Sequence, residues 1–467
     1  MRSPPTELKS FSGLDRARPE LVLARTPDDV AVALERARRE GRRAVPRGAG
    51  LSFGPHALGD DLALSTEALD AIDVDAASGR FTVGPGARWG AVLERLRAHD
   101  WIVPATVTTS AATVGGTLAS NALSRFSPVH GKEGKSIREL TVLTPGGEMV
   151  RASREHDADL FHAAIGGWGG VGVVISATYQ ATRLPPRACV ASTVRRHASF
   201  EVLAEALRPA ASGERTVYAI VAVQRDRIRA LEITSEWVEG RTLRTMLPHQ
   251  PASPVRVPIE WGVNRWHAIS AAFWDFTYLV YMRGADRTPF VDDLAGYTFF
   301  MDGHLRAKRA ADRFGVPFRS MQQTFVVPRA ADLAPFLRHA SARIHGEGLD
   351  IALLDLLWLP RDEPFHLSSS RAGSGYACTF SFEGPFDTPR AARVLGALAD
   401  DVESLGGRTH LVKNVFASAE NLARTYRDGL DAYAAVKRRV DPDGVLESVF
   451  LRRSFPELFE PNRATGR

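Results

Sequence analysis

The sequence predicts an α+β protein of two domains, and three observations point to this fold class. Its 467 residues suffice for two or three domains of about 100–200 residues each. The early part of the chain alternates helical and strand patterns, whereas the middle is rich in strand patterns between amphipathic helices. The proline pair Pro185-Pro186 separates these two parts.

The domain limits follow from the proline pair and from a second change of pattern near residue 405. Residues 1–187 are predicted to form the first domain, residues 188–404 the second, and residues 405–467 a helical return to the first. A helix is predicted over Thr26–Arg39, because a threonine caps it and apolar residues follow at helical spacing. The strand patterns of the second domain are Val217–Gln224, Arg229–Thr234, Gln322–Val327 and Ala377–Phe382.

Composition and charge exclude several classes of protein. Hydrophobic residues make up 44% and charged residues 24% of the chain, which is typical of a globular protein and excludes disorder, collagen and coiled coil at chain scale. A net charge of +5 without a dense basic stripe does not favour a nucleic-acid partner. Cys189 and Cys378 are too few for a disulfide framework or a cysteine-based metal site, and no metalloenzyme or serine-hydrolase motif is present.

The N-terminal residues and the most apolar stretch of the chain predict a cytoplasmic protein. The N-terminal residues lack the apolar core of a signal peptide. The stretch Trp266–Met282 is too short and too polar to span a bilayer, so no integral membrane segment is expected and peripheral membrane contact stays open. The aromatic run from Trp261 to Tyr281 either forms a wall or lid for a sugar ring or is a core helix.

Three glycine-rich segments stand out in the first domain, at Pro46–Gly54, Thr113–Gly116 and Ile165–Gly172. Their spacing matches neither the GxGxxG pattern nor the P-loop. Glycine lets backbone N–H groups approach a phosphate without a Cβ in the way, and the start of a helix offers further N–H groups. Each segment alone is explained as a tight turn, whereas the three together suit an elongated ligand with a pyrophosphate, such as FAD.

The order of these segments carries a resemblance to a known family. PRGAGLSFG, TVGGTLASN, LTVLTPGGE and IGGWGGVGVVISAT, in this order, resemble the FAD-binding domain of the vanillyl-alcohol oxidase or PCMH-type superfamily. Within it the chain is most similar to the decaprenylphosphoryl-β-D-ribose 2-oxidase family, because SMQQTFVVP, GYACTFSF, LVKNV and VDPDGVLESVFLRR resemble segments of that family. The resemblance implies a two-domain fold in which an α+β substrate domain caps a PCMH-type FAD-binding domain.

The resemblance implies FAD as the cofactor, with the segment Pro46–His56 wrapped around its pyrophosphate. Many members of the superfamily attach FAD through a histidine in the first loop, and Leu51 stands at that place, so non-covalent binding is expected. His410 stands where the family has a tyrosine beside the flavin. The implied cofactor-binding residues are Pro46, Arg47, Gly48, Ala49, Gly50, Leu51, Ser52, Gly54, Thr113, Val114, Gly115, Gly116, Ser120, Asn121, Val174 and His410.

Lys413 and a histidine are the candidates for catalytic residues. Only six of the 59 basic residues are lysines, and Lys413 lies in the apolar segment Leu411–Val415, where burial would lower its pKa. The resemblance implies that Lys413 reaches substrate and flavin; the alternative is a lysine at a strand end with its ammonium in solvent. The histidine of the family falls at Leu123 without gaps, and at His130 if residues are inserted.

Four further residues are expected to contact the substrate, and they are Phe53, Gln322, Thr324 and Cys378. Phe53 replaces a tyrosine of the related family, and Thr324 replaces one of its two glutamines. Gln322 either binds substrate hydroxyls or lies on the surface of an edge strand. Cys378 either lines the site or fills the core as a small apolar residue.

The predicted function is FAD-dependent oxidation of a hydroxyl group on a sugar or sugar-like substrate, by hydride transfer to flavin N5. Two substrates stay open. One is a polyprenyl-phosphate pentose, oxidised before a reductase partner completes an epimerisation. The other is a sugar of antibiotic biosynthesis, such as an aminoglycoside, oxidised before an aminotransferase acts. Outside the enzymes, an inactive flavin-binding protein and a membrane-peripheral scaffold are the alternatives.

Overall fold

Five β-sheets, with helices packed against them, form the described part of the chain. The computed structural model describes residues 5–208, 215–224, 227–240, 290–313, 319–383 and 386–459. The aromatic run from Trp261 to Tyr281 lies outside these residues. Among the helices that are described, none combines the length and the apolar character needed to cross a bilayer.

The elements before the proline pair are short and alternate along the chain. The strands are β1 (Leu8–Lys9), β2 (Arg16–Ala17), β3 (Glu20–Leu23), β4 (Ala44–Arg47), β5 (Leu62–Ser65), β6 (Ile72–Val74), β7 (Arg80–Val83), β8 (Trp101–Ile102), β9 (Ile137–Leu143), β10 (Met149–Ser153), β11 (Val173–Gln180) and β12 (Thr182–Arg183). The helices are α1 (Pro27–Arg39), α2 (Trp89–Arg97), α3 (Val114–Ser120), α4 (Ser127–His130) and α5 (Ala158–Ala164), with a 3-10 turn at Glu133–Ser136.

A parallel sheet of β3, β5 and β4 packs against α1. The helix predicted over Thr26–Arg39 is confirmed as Pro27–Arg39, and it begins with a capping box. The Thr26 hydroxyl accepts from the Asp29 N–H at 3.2 Å, and the Asp29 carboxylate accepts from the Thr26 N–H at 2.9 Å. The sheet ends at β4, from which the first glycine-rich segment continues.

An antiparallel sheet in the order β10-β9-β11-β7-β6 supports the other two glycine-rich segments. Alternate residues of its central strands, including Leu140 and Tyr179, are buried in the largest core cluster, together with residues of α2 and α3. The Thr113–Gly116 segment begins α3, and the Ile165–Gly172 segment runs from α5 into β11. The two segments are therefore supported by the same core.

The elements after the proline pair are longer. The strands are β13 (Cys189–His197), β14 (Thr216–Gln224), β15 (Arg227–Val238), β16 (Phe290–Asp293), β17 (Ser320–Val327), β18 (Leu353–Leu359), β19 (Gly375–Glu383) and β20 (Arg408–His410). The helices are α6 (Phe200–Ala206), α7 (Leu294–Thr298), α8 (Asp302–Arg313), α9 (Ala330–Gly346), α10 (Thr388–Ser404), α11 (Ala419–Thr425), α12 (Arg427–Val440) and α13 (Val449–Ser454), with a 3-10 turn at Pro456–Leu458.

The large sheet is antiparallel and runs in the order β16-β13-β15-β14-β18-β19-β17-β20. One of its faces is covered by α6, α9 and α10, which bury a second core cluster against it. Side chains alternate between the two faces of a strand, so the other residues of β17, β18 and β19 point away from these helices. That second face is called the inner face below.

The large sheet begins two residues after the predicted boundary at 187, because β13 starts at Cys189. Its last strand, β20, follows residue 404, at which the second domain was predicted to end. After β20 the chain returns to the first part: the Ala44 N–H donates to the Val445 carbonyl at 2.7 Å, and the Glu447 N–H donates to the Ala44 carbonyl at 3.0 Å. The domain limits themselves stay a prediction.

Candidate active site

A cleft of about 1480 Å³, which includes its solvent-open mouth, lies between the glycine-rich segments and the start of α8. Most of the predicted cofactor residues line it. They are Pro46, Arg47, Gly48, Ala49, Gly50, Leu51, Ser52, Thr113, Gly115, Gly116, Ser120 and Val174. Phe53 and Lys413, predicted for substrate and catalysis, line the same cleft.

The first glycine-rich segment has no room for larger side chains where it faces Thr113. A Cβ at Gly48 would lie 2.0 Å from Thr113 Oγ1, and Gly50 has a φ of +68°, which favours glycine. No described group accepts a hydrogen bond from the backbone N–H groups of Gly50, Leu51 or Ser52. The segment therefore presents N–H donors to the cleft without side chains in front of them.

The opposite wall is held in place by a buried hydrogen-bond network under α3. Glu133 Oε1 accepts from the Tyr179 hydroxyl at 2.7 Å and from the Thr117 hydroxyl at 3.0 Å, and Trp89 Nε1 donates to Thr117 at 2.7 Å. Burial raises the pKa of Glu133 to about 8. A neutral carboxyl group thus anchors the helix whose first turn lines the cleft.

His56 ties the first segment to the chain that carries Lys413. Its ring lies 4.4 Å from the Trp168 ring and 4.1 Å from the Phe450 ring. Burial lowers the pKa of His56 to about 4, so the ring is neutral at pH 7. Since a carbonyl oxygen only accepts, the Nε2–H of His56 donates to the Leu411 carbonyl at 2.7 Å.

Several lining residues were not predicted as site residues, among them Trp168, Met301 and Leu305. Trp168 has a φ of +57° within the third glycine-rich segment, and its buried Nε1–H has no partner among the described residues. Met301 and Leu305 reach the cleft because Asp302 binds the loop before α3, accepting from the Ser110 N–H at 2.9 Å. Sequence patterns did not indicate this contact, which joins distant segments.

Lys413 lies at the border between the cleft and the large sheet. Its ammonium is 4.4 Å from the centroid of the Phe53 ring, and no described residue forms an ion pair with it. Asn414, the next residue, accepts from the Gln322 N–H at 3.0 Å and donates its own N–H to the Gln322 carbonyl at 2.8 Å. Burial lowers the pKa of Lys413 to about 8.

Four polar residues lie side by side across the inner face of the large sheet. The strand registers pair His410 with Thr324, Thr324 with Thr379, and Thr379 with Asp355. Directly opposed residues of antiparallel strands share a face, and the hydroxyls of Thr324 and Thr379 are 2.8 Å apart. We call these four residues, His410, Thr324, Thr379 and Asp355, the polar row.

Asp355 is a functional candidate that sequence reasoning missed. It is partly exposed, and burial raises the pKa of its carboxyl group to about 6 while the charges of Arg125 and Lys413 oppose that rise. The one signal in the sequence is an aspartate in the middle of the apolar strand β18, Leu353–Leu359. A lone carboxylate in a central strand indicates function or strain, but nothing in the sequence connects it to Lys413.

Cys378 does not line the site, and the expectation that it contacts substrate is corrected. It is fully buried in the cluster between the large sheet and its covering helices. Its register partner Leu356 points the same way, whereas the next residue, Thr379, lies on the inner face. Without the register of β19, an alternating strand leaves open which set of residues faces the ligand.

Gln322 and Thr324 both lie on the inner face of β17. The residues that alternate with them, Met321, Gln323 and Phe325, point toward the helices that cover the other face. Both side chains are buried, at 6% and 2% exposed surface. Gln322 is therefore not a surface residue of an edge strand, which was the alternative.

Four predicted cofactor residues lie beside the cleft instead of lining it. Val114 is buried in the core beneath it. Asn121 ends α3 with a left-handed backbone, and its side chain donates to Asp362 at 2.8 Å and accepts from the Gly134 N–H at 2.9 Å. A Cβ at Gly54 would contact the His56 ring at 2.9 Å, so this glycine makes room for a side chain of the protein.

The fourth of these residues is His410, which is a member of the polar row and also takes part in a buried hydrogen-bond network. Its Nδ1 lies 2.8 Å from Ser369 Oγ, which accepts from Lys132 Nζ at 3.3 Å. Lys132 is paired with Asp362 at 3.4 Å. Burial, with the charges of Lys132 and Lys413, holds the pKa of His410 well below its usual range, so the ring is neutral.

His130 and Leu123 occupy different places. The His130 ring stacks on Trp237 with centroids 5.0 Å apart, and burial lowers its pKa to about 4. Leu123 packs against a cluster of Val326, Leu359 and Ala377 on the large sheet. Neither residue lines the cleft. A catalytic role for His130 stays a prediction.

The residues of the cleft fit FAD. Several N–H groups of the cleft, among them Trp168 Nε1–H, have no partner in the described part of the chain, and a Cβ at Gly48 would have no room. These features suit a long ligand with phosphate and carbonyl oxygens. A family profile described as an FAD binding domain matches residues 19–153. The chain therefore contains an FAD-binding domain, and it resembles the vanillyl-alcohol oxidase superfamily. Its cofactor is FAD.

Further similarities of this flavoprotein reach into its C-terminal part. A profile described as D-arabinono-1,4-lactone oxidase matches residues 384–454. A decaprenylphosphoryl-beta-D-ribose oxidase of Mycolicibacterium smegmatis is 31% identical over 185 residues, which is 38% of this chain and 40% of the relative. An FAD-dependent monooxygenase of Cochliobolus heterostrophus is 32% identical over 157 residues, 33% of this chain and 30% of the relative.

A D-arabinono-1,4-lactone oxidase of Eremothecium gossypii is 29% identical over 178 residues, which is 37% of this chain and 33% of the relative. The matches with these three relatives thus span less than half the length of each relative. Their shared part supports the flavoprotein assignment, and the names of two of them refer to sugar derivatives.

Proposed function

We propose that this flavoprotein oxidises a hydroxyl group of a sugar or sugar-like substrate to a ketone or aldehyde. One observation carries the proposal: the ammonium of Lys413, with which no described residue forms an ion pair, lines the FAD cleft, and the next residue, Asn414, is hydrogen-bonded to the strand that carries Thr324 of the polar row. A cation and several hydroxyl-binding groups thus share one place. Relatives named for a ribose derivative and an arabinonolactone support a substrate of this class.

Bound FAD supplies a two-electron acceptor for the hydride of the carbinol C–H bond. The protein holds the reacting groups around that acceptor. Lys413 provides a positive charge at the end of the cleft, which stabilises negative charge that develops there during the reaction. Thr324 and Gln322, on the inner face of the large sheet, offer a hydroxyl and an amide to substrate oxygens.

Non-covalent binding of FAD is part of the proposal. Leu51 provides no nucleophile, and His56 is held between two aromatic rings with its Nε2–H donated to a carbonyl. The product is a carbonyl compound, so the reaction that consumes it is a reduction or an amination. A reductase or an aminotransferase is therefore the proposed pathway partner.

The test is anaerobic reduction of the purified holoprotein by candidate sugars. We expect the protein to absorb as a flavoprotein and acid precipitation to release its flavin into solution. At least one class of candidate sugar should bleach the flavin absorbance. The panel contains pentoses, sugar lactones, a prenyl-phosphate pentose and aminoglycosides. A colourless protein that takes up no FAD would refute the proposal.

Two further outcomes separate the alternatives. A yellow protein that none of these sugars bleaches would indicate a flavin-binding protein without this activity. Co-sedimentation with anionic vesicles, without bleaching, would indicate a membrane-peripheral scaffold. Lys9→Met is the matched control for a Lys413→Met variant, because Lys9 is an exposed lysine in a surface ion pair with Glu7.

A further inference from the structure

Asp355 is a carboxylate in the middle of the largest described sheet. Its strand, β18, lies between β14 and β19, four strands from one edge of the sheet and three from the other. Asp355 is nevertheless partly exposed, on the inner face that it shares with Thr379. None of the described residues gives its carboxylate a hydrogen bond or an ion pair within 4.0 Å. A charge in such a place is costly to keep unless a ligand uses it.

The surroundings of Asp355 are those of a reaction site and not of a buried structural ion pair. α4 packs over β14 and β18 and forms a roof over the inner face. The charge of Lys413 lowers the pKa of Asp355, although the two side chains form no ion pair. Arg125, the third charged neighbour, is occupied by aromatic rings, with its guanidinium 3.4 Å from the centroid of Phe300.

We propose that Asp355 is the catalytic base that removes the proton of the substrate hydroxyl in the proposed oxidation. The inference rests on the proposed function and names the residue that performs its proton transfer. Lys413 is then the electrostatic group and Asp355 the proton acceptor. Thr379, next to Asp355 in the polar row, lies where it can orient the same hydroxyl.

The step balances in atoms and electrons. The O–H bond of the substrate breaks, its proton forms an O–H bond on Asp355 Oδ, and its electron pair becomes the second bond of the product C=O group. The C–H bond breaks with its electron pair, and this hydride goes to the FAD cofactor. Asp355 is partly exposed, so the proton can pass to solvent before the next turnover.

Other titratable groups near Asp355 are less suited to this step. Lys413 keeps its proton below a pH of about 8, and it is needed as a cation. His130, on α4, has a pKa of about 4 and is a weak base. Glu383, at the far end of β19, only adds a negative charge that raises the pKa of Asp355.

The experiment compares wild-type holoprotein with Asp355→Asn and Asp355→Glu. The rate of flavin bleaching by the active sugar is measured anaerobically by stopped flow between pH 5 and 9. We expect the wild-type rate to rise with pH through a value near 6, as the carboxylate forms. Asp355→Asn should lower the rate at saturating sugar by about 100-fold or more and remove this rise. Asp355→Glu should keep the rise at a reduced rate.

Substrate binding gives a second readout that does not depend on turnover. Perturbation of the oxidised flavin spectrum by product measures its Kd, and we expect Asp355→Asn to leave this Kd within about threefold of wild type. FAD content and circular dichroism show that the variant is folded and loaded. The matched control is Asp73→Asn, because Asp73 is an exposed aspartate on β6.

Each other result overturns the inference in a distinguishable way. A wild-type protein that no sugar bleaches overturns the proposed function and this inference together. Bleaching by wild type at a rate that Asp355→Asn matches overturns only the role of Asp355. A weakened Kd with an unchanged rate at saturation makes Asp355 a substrate-binding residue instead of the base.

Discussion

The Lys413 ammonium lies 4.4 Å from the centroid of the Phe53 ring. The contact joins the first glycine-rich segment to the chain that follows the last strand of the large sheet. An aromatic face attracts a cation, and the contact favours the charged form of a lysine that burial would otherwise neutralise. Lys413 can therefore stay charged near neutral pH in a cleft lined mainly by apolar groups.

Lys413→Met should retain FAD and slow its reduction by substrate about 100-fold, because the variant lacks the charge that stabilises the reacting groups. Stopped-flow bleaching and the flavin content measure the two effects separately. Lys9→Met, the exposed control, should match wild type in both. A Lys413→Met protein as fast as wild type would show that the cation is not used.

Phe53→Leu should shift the alkaline limb of the rate profile to lower pH. The wild-type rate should fall as pH rises through about 8, where Lys413 loses its proton. Loss of a cation–π contact worth about 0.5–2 kcal/mol lowers the pKa of the lysine by about one unit. Rates measured between pH 6 and 9 test this shift, and an unmoved limb would contradict the role of the ring.

Gly48→Ala should weaken FAD binding by at least about tenfold, or about 1.4 kcal/mol. The new Cβ would lie 2.0 Å from Thr113 Oγ1 and would push the first segment away from α3. Gly48→Ala with Thr113→Ala should recover part of the affinity, because only the Thr113 Cβ, at 3.2 Å, remains close. Titration of apoprotein with FAD measures these affinities.

Gly346→Ala is the control for the Gly48 series. No atom lies within 4 Å of a Cβ at Gly346, at the end of α9. Its FAD affinity should equal that of wild type. Equal affinity in Gly48→Ala would show that the first segment moves freely from Thr113 without loss of the cofactor.

Cys378→Ala should leave flavin reduction unchanged and lower the free energy of unfolding by about 1 kcal/mol, because it leaves a small cavity in the core. Burial raises the pKa of this thiol far above its usual range, so native protein should also resist alkylation of Cys378 at pH 7.5. Urea unfolding and mass spectrometry provide the measurements. Rapid labelling of Cys378 would place it in the accessible site after all.

Glu133→Gln should change how stability depends on pH. The folded-state pKa of Glu133, about 8, is raised above its usual 4.5, so its contribution is complete below pH 4.5 and is lost as pH rises toward 8. The wild type should therefore lose stability relative to Glu133→Gln between pH 5 and 8. Urea unfolding with saturating FAD at each pH measures the difference, and parallel curves would contradict the raised pKa.

The cofactor cleft could be predicted from the sequence because its determinants are local. The close approach of Gly48 to Thr113 and the left-handed backbone of Gly50 both require glycine. The glycine-rich segments show these residues, and the N–H groups between them, directly in the sequence. Lys413 was found because it is a rare lysine in an apolar segment. Asn121 and His410 do not line the cleft, and they bind Asp362 and Ser369, which are far away in the sequence.

The substrate side depends on strand register, which sequence patterns do not specify. β17 and β19 are almost entirely buried on both faces, so an alternating pattern cannot show which face meets the ligand. Pairing of Thr324 with Thr379, and of Thr379 with Asp355, decided that Thr379 and not Cys378 lies on the inner face. The sequence by itself determined an α+β flavoprotein with its FAD loops and its lysine. Only the tertiary structure placed Asp355 in one row with Thr379 and Thr324, because pairing between distant strands sets which side chains lie side by side.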